Sequence, residues 1–184
     1  CYAPSPSFAS AGDTPPSVQG SRASSTSRGP VGAAATVVLT SPEDWSARSP
    51  RFSPDGAQLA FVVSADSAAH FSCSKLCVAK WPQDTAPSGV LPRTVVVDIV
   101  QTPGGGDGSF PGLFLASEQL PARVWLSDSR RIILHTDWRC QRELVIVDTS
   151  VQGGNVQRLD AGKGSGEGSW VLHDVRGDHV LASR

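Results

Sequence analysis

The sequence contains no methionine and no long run of charge of one sign: 16 Lys and Arg stand against 17 Asp and Glu in 184 residues, a net charge of −1. A surface so evenly balanced has no field to draw nucleic acid or anionic lipid, and neither is expected as a partner. Long apolar runs are missing too. A spanning helix needs about 18 or more apolar residues in succession, whereas the apolar stretch from Val31 to Leu39 is short and broken by glycine, so no membrane association is expected. Cysteine is sparse. Cys1, Cys73, Cys77 and Cys140 cannot frame a chain of this size, and they read as reduced thiols in a cytoplasmic setting.

Several chemical signatures are also absent. Nucleophilic serine catalysis on an α/β-hydrolase leaves a Gly-x-Ser-x-Gly pentapeptide at a strand-to-helix turn, and no such pentapeptide occurs here. The glycine-rich run from Gly162 to Gly168 lacks the lysine-serine spacing of a phosphate loop and reads as a connection between units. His70, Cys73 and Cys77 offer ligand types that zinc accepts, but no second pair at matching spacing follows, and Cys77 falls in an apolar strand where a buried thiol is ordinary. His70, His135, His173 and His179 are scattered over predicted strand ends and loops, and each reads as a solvated or edge residue. The expectation is no catalytic residue, no metal and no cofactor in this chain.

What is present is a hairpin written twice. In Ser49-Pro50-Arg51-Phe52-Ser53-Pro54-Asp55-Gly56-Ala57-Gln58-Leu59-Ala60-Phe61-Val62, Pro54 presets φ, Asp55 can bond the backbone two residues on, and Gly56 closes the turn. Beyond the turn Leu59, Phe61 and Val63 alternate with Ala60, Val62 and Ser64, the period that turns one side of a strand to a core. Phe52 is expected to pack where the first strand ends. Trp125-Leu126-Ser127-Asp128-Ser129-Arg130-Arg131-Ile132-Ile133-Leu134 aligns without a gap on Phe52 to Phe61, 73 residues later. Each copy is followed by two more apolar segments: Leu76 to Trp81 and Thr94 to Val100 after the first, Glu143 to Asp148 and Asn155 to Leu159 after the second. Four strands in a repeating unit make a propeller blade.

The fold class is therefore all-β, a partial β-propeller of two to three four-stranded blades. The offset exceeds the usual blade of roughly 40–50 residues, and the excess, Gln101 to Ala122, reads as an exposed loop inserted between blades. Gly168 to His173, a turn over Asp174 to Asp178, and His179 to Ser183 read as half of a third blade. Two blades and a half cannot close a ring of roughly four to eight, so the chain is expected to be a fragment. Residues 1–36 are dominated by Ser, Ala, Gly and Pro, with Asp13, Arg22 and Arg28 as the charges, and form a low-complexity leader expected to be disordered. Residues 37–184 form the propeller part, and Val37-Val38-Leu39 reads as the outer strand of an upstream blade. Trp45, Trp81, Trp125, Trp138 and Trp170 recur near blade landmarks and read as core or inter-blade packing.

The Phe-Ser-Pro-Asp-Gly hairpin resembles those of TolB-like proteins and of the prolyl oligopeptidase family of serine peptidases. A narrower resemblance rests on Cys73-Ser74-Lys75-Leu76-Cys77, Val95 to Val100, Trp125 to Ser129, Leu144 to Thr149 and the run ending Gly168-Ser169-Trp170, in this order and at these separations. Over Val37 to Arg184 the chain is similar to the N-terminal propeller domain of the acylamino-acid-releasing enzymes. That resemblance implies a seven-bladed ring and a cytoplasmic, homo-oligomeric serine-type exopeptidase that removes an N-acylated residue from short peptides. Its triad belongs to a C-terminal α/β-hydrolase domain that no residue here matches. The part implied for this chain is to gate access to that catalytic domain. The alternative is a non-enzymatic propeller scaffold that binds a protein partner.

Overall fold

The computed structural model describes residues 37–44, 46–64, 72–82, 89–106, 108–115, 119–151, 155–159 and 168–184, all within a unit spanning Ala35–Arg184. The expected leader, Trp45, His70 and most of the glycine-rich run lie outside these residues. Among the described residues every regular element is a strand. Four antiparallel strands build the first sheet in the order β2 (Ser46–Phe52), β3 (Gln58–Ser64), β4 (Lys75–Lys80) and β6 (Arg93–Val97). A second sheet holds β7 (Arg131–Trp138), β8 (Gln141–Asp148) and β9 (Asn155–Arg158). Its fourth member is the short segment Val124–Leu126. Trp125 bridges Ile132, Ile133 N donates to Val124 O at 2.8 Å, and Leu126 N donates to Arg131 O at 2.8 Å. A third hairpin, β10 (Val171–Arg176) with β11 (His179–Ser183), completes an all-β partial propeller.

The 73-residue repeat is reproduced bond by bond. Ser53 N donates to Gln58 O at 2.9 Å as Leu126 N does to Arg131 O, and Gly56 N donates to Ser53 O as Ser129 N does to Leu126 O. Asp55 Oδ1 accepts from Ala57 N, and Asp128 Oδ1 from Arg130 N, each at 3.0 Å. Gly56 and Ser129 both take the left-handed conformation, at φ 71° and 53°. The first copy uses glycine where that conformation is free of Cβ strain, and the second holds a serine there.

The core differs from a one-sided strand. Leu59 to Ser64 are buried throughout, because a blade is sandwiched on both faces. Ala60 and Val62 join the large cluster shared with Ile132, Leu134 and Val145, while Phe61 and Val63 join Cys77 and Ala79 on the opposite face. Leu39 packs on that second cluster.

Four further expectations are corrected. Val37–Val38 (β1) is not the outer strand of another blade, since it pairs in parallel with Gly89–Val90 (β5) in the connection between β4 and β6. The segment from Gln101 to Ala122 is not simply an exposed loop: Leu113, Leu115 and Leu120 are buried, and Ser74 bridges Leu113. Those leucines supply apolar area that the short segment Val124–Leu126 could not cover alone. β10 runs on to Arg176 through a bulge between Leu172 and Asp174, so the turn shrinks to Gly177 and Asp178. Phe52 is 53% exposed, its ring edge-on to Trp81 with centroids 5.1 Å apart, whereas its counterpart Trp125 is 4% exposed.

Candidate functional site

Side-chain hydrogen bonds join the edge strand β2 to residues 120–125, and these in turn to the edge strand β10, as one linked wall. A bulge in β2 between Arg48 and Arg51 puts Ser49 at φ 56°, which presents its Oγ to Leu120 N at 3.1 Å. Bulges re-aim side chains in this way. The Arg51 guanidinium donates to the carbonyls of Leu120 and Pro121, and Trp125 Nε1 donates to Arg51 O at 2.9 Å. Arg123 grips Asp174 of β10 with two donors, and that hydrogen-bonded guanidinium holds the Asp174 carboxyl below its usual range. At the turn end the units are also tied: Asp55 N donates to Ser129 Oγ at 3.2 Å, Gln58 Nε2 to Ser129 O at 2.7 Å, and Ser127 Oγ to Asp178 Oδ1 at 2.7 Å.

Further along the same wall lies Arg48. Its Nη1 donates to Ser64 Oγ at 2.9 Å and its Nη2 to Ser74 Oγ at 3.2 Å. Both serines are buried, and burial pushes the guanidinium below its ordinary value. Beside it is a hollow of about 230 Å³ walled by Val37, Leu39, Ala47, Pro50 and Phe61.

A larger cleft of about 550 Å³ opens under the segment that follows β6. Val100, Pro103, Pro111 and Phe114 line it, with Asp137 and Arg139 at the tip of the β7–β8 hairpin. Thr136, fully buried, accepts from Phe114 N at 2.9 Å and donates to Gly112 O at 3.2 Å, fastening the segment to β7.

Nothing among the described residues assembles a catalytic constellation. His173 Nε2 and Ser183 Oγ lie 2.7 Å apart, but they are exposed residues on neighbouring strands. No carboxylate orients His173 among the described residues, so the pair lacks the third group of a triad. His135 corrects the expectation of a solvated or edge histidine: it is buried, and its Nδ1 accepts Leu172 N–H at 3.1 Å. That bond ties β7 to β10, and only long-range pairing reveals it. Cys77 is buried and its thiol pushed up by burial, while Cys73 is half-buried. Cys73 meets the backbone at Gly112, where a methyl group would collide with its Sγ. Among the described residues no group of three His, Cys, Asp or Glu stands where it could hold a metal ion, and no helix is long and apolar enough to cross a membrane.

Comparison with known proteins places the chain. Residues 13–184 match the family described as acylamino-acid-releasing enzyme, N-terminal domain, a match that begins within the stretch read above as a leader. The chain is 37% identical over 138 residues to the acylamino-acid-releasing enzyme of Arabidopsis thaliana, covering 72% of this chain and 17% of that protein. It is 35% identical over 152 residues to acylamino-acid-releasing enzyme 2 of Oryza sativa subsp. japonica, covering 81% and 19%. With the human acylamino-acid-releasing enzyme it shares 33% over 144 residues, covering 78% and 18%. The chain thus spans less than a fifth of the length of these relatives, and it belongs to the acylamino-acid-releasing enzyme N-terminal domain family.

Proposed function

We propose, from membership of that family, that the chain is the opening portion of the propeller of a serine-type acylaminoacyl-peptidase, an exopeptidase that releases an N-acylated residue from the N-terminus of short peptides. Its part is steric. The complete ring admits short, extended peptides to a separate α/β-hydrolase domain and turns folded chains away, which also keeps bulk water from the chemistry. The complete protein is a cytoplasmic homo-oligomer in this reading.

The observation that carries the reading is the bolted wall. A gate that selects by size must keep its aperture. Arg51, Ser49 and Trp125 fix the first two units to each other through main-chain partners, and Arg123 fixes the second to the third. Hydrogen bonds from a charged donor to buried carbonyls contribute about 1.5–3 kcal/mol each, enough to hold such a wall against thermal opening.

The test uses the native protein, captured with an antibody against residues 120–184. The captured protein is expected to take up a serine-reactive fluorophosphonate and to release N-acetylalanine from an N-acetylalanyl peptide, with both properties lost together on labelling. A protein that carries this chain, stays unlabelled and leaves the acetylated peptide intact would overturn the proposal.

A further inference from the structure

The stretch Ser41-Pro42-Glu43-Asp44 is a tight turn in which Ser41 N donates to Asp44 Oδ2 at 2.8 Å and Asp44 N donates to Ser41 O at 2.9 Å. The Ser41 hydroxyl stands between two charges. Arg93 Nη2 donates to Ser41 Oγ at 2.9 Å, and Ser41 Oγ donates to Asp44 Oδ2 at 3.2 Å. The same guanidinium grips Asp44 through both terminal nitrogens, and the Asp44 side chain is buried. This ion pair fixes the turn to β6. The residues ahead of the turn rest on the first blade as a strap: Val37–Val38 pairs with Gly89–Val90, Leu91 N donates to Val38 O at 3.1 Å, and Leu39 packs against the cluster of Phe61, Val63, Cys77 and Ala79.

Among the described residues serine precedes proline at Ser41, Ser49 and Ser53. Ser49 and Ser53 are buried, whereas Ser41 is half-buried and Pro42 and Glu43 after it are exposed. We propose that Ser41 is a phosphorylation site for a proline-directed protein kinase, and that its phosphate releases the strap 37–44 from the first blade. Ser41 Oγ attacks the γ-phosphorus of a nucleoside triphosphate. The new O–P bond forms as the bond to the β–γ bridging oxygen breaks, the nucleoside diphosphate leaves, and the hydroxyl proton passes to the kinase's base. A kinase takes its acceptor in extended chain, and a surface turn opens locally at far less cost than the whole fold. The phosphoserine carries a charge of about −1.5 to −2 at neutral pH and three acceptor oxygens. Placed on an oxygen that already touches the Arg93 guanidinium, it takes the bidentate partnership that Asp44 holds. Asp44, left buried beside a dianion of its own sign, moves out to water. The bond from Ser41 N to Asp44 goes with it, and Leu39 loses the turn that anchors it.

The experiment treats the native-length protein with a proline-directed kinase and ATP and maps phosphate residue by residue, since Thr102-Pro103 is exposed as well. Phosphate is expected on Ser41. Backbone hydrogen exchange is then read by mass spectrometry in treated wild type against treated Ser41→Ala, which isolates the effect of this one site. Exchange over residues 37–44 and 89–93 is expected to quicken about tenfold in wild type. Asp44→Asn reverses the sign: with no carboxylate to repel, phosphate on Ser41 gives Arg93 a charged partner and is expected to slow exchange in that variant. A native protein that takes phosphate on Ser49 or Ser53 but not on Ser41, or on none of the three, would overturn the site. Exchange that phosphate leaves unchanged or slows in wild type, or quickens equally in Asp44→Asn, would overturn the release.

Discussion

Among single residues, the Asp44–Arg93 pair gives the plainest case of a local contact with a measurable consequence. The Asp44 side chain is 3% exposed and takes hydrogen bonds from both Arg93 terminal nitrogens and from Ser41, pinning residues 41–44 to β6. Arg93→Ala leaves a buried carboxylate without its partner and is expected to lower stability by about 3 kcal/mol in a denaturant melt. The same pair sets a pH dependence. The hydrogen-bonded guanidinium holds Asp44 below its ordinary value, so its stabilisation is complete above the unfolded pKa of about 3.9 and is lost as pH falls through the lower folded value. Wild type should lose stability in acid, and Asp44→Asn should flatten that limb of the profile. Gly112 is a second case. Its φ of 110° and the nearby Cys73 Sγ leave no room for a side chain, and Gly112→Ala is expected to cost about 2 kcal/mol or more, read as a shift in denaturant midpoint.

Among elements, the repeat predicts an asymmetry between positions that the sequence aligns. Trp125→Phe removes the donor to the Arg51 carbonyl and is expected to cost about 1–2 kcal/mol in a chemical melt. Phe52→Leu, at the matching position of the first blade, should cost well under about 1 kcal/mol, because the ring is half in solvent and packs edge-on against Trp81. Equal costs would show that Trp125 contributes by area alone. The turns, β3, β4, β7 and β8 were legible because their signals are local: Pro54-Asp55-Gly56, the alternation after it, and the apolar strand letters. The pairing of Val37–Val38 with Gly89–Val90 was not, since two-residue strands carry no period. Nor could Leu113, Leu115 and Leu120 be recognised as core letters in a segment dominated by glycine and proline, where burial is decided by a neighbouring sheet. His135 was misread for the same reason, its partner being the main chain of Leu172.

For the whole molecule, the wall made by β2, residues 119–126 and β10 is where fold and proposed function meet. The sequence indicated the propeller and the family. The wall itself was invisible to such reading, because Arg51, Ser49 and Arg123 acquire their meaning only when the fold brings their distant partners within hydrogen-bond reach. A size gate built on such a wall leaves the hydrolysis of a short substrate untouched when the wall is loosened and changes only what is admitted. Arg51→Ala in the native-length protein therefore tests the account most directly, by comparing hydrolysis of an acetylated tripeptide with that of an acetylated folded polypeptide. The account predicts an unchanged rate on the tripeptide and a rise of about tenfold on the polypeptide, the equivalent of roughly 1.4 kcal/mol in the barrier to entry. A variant that melts earlier yet excludes the polypeptide as completely as wild type would contradict the gate.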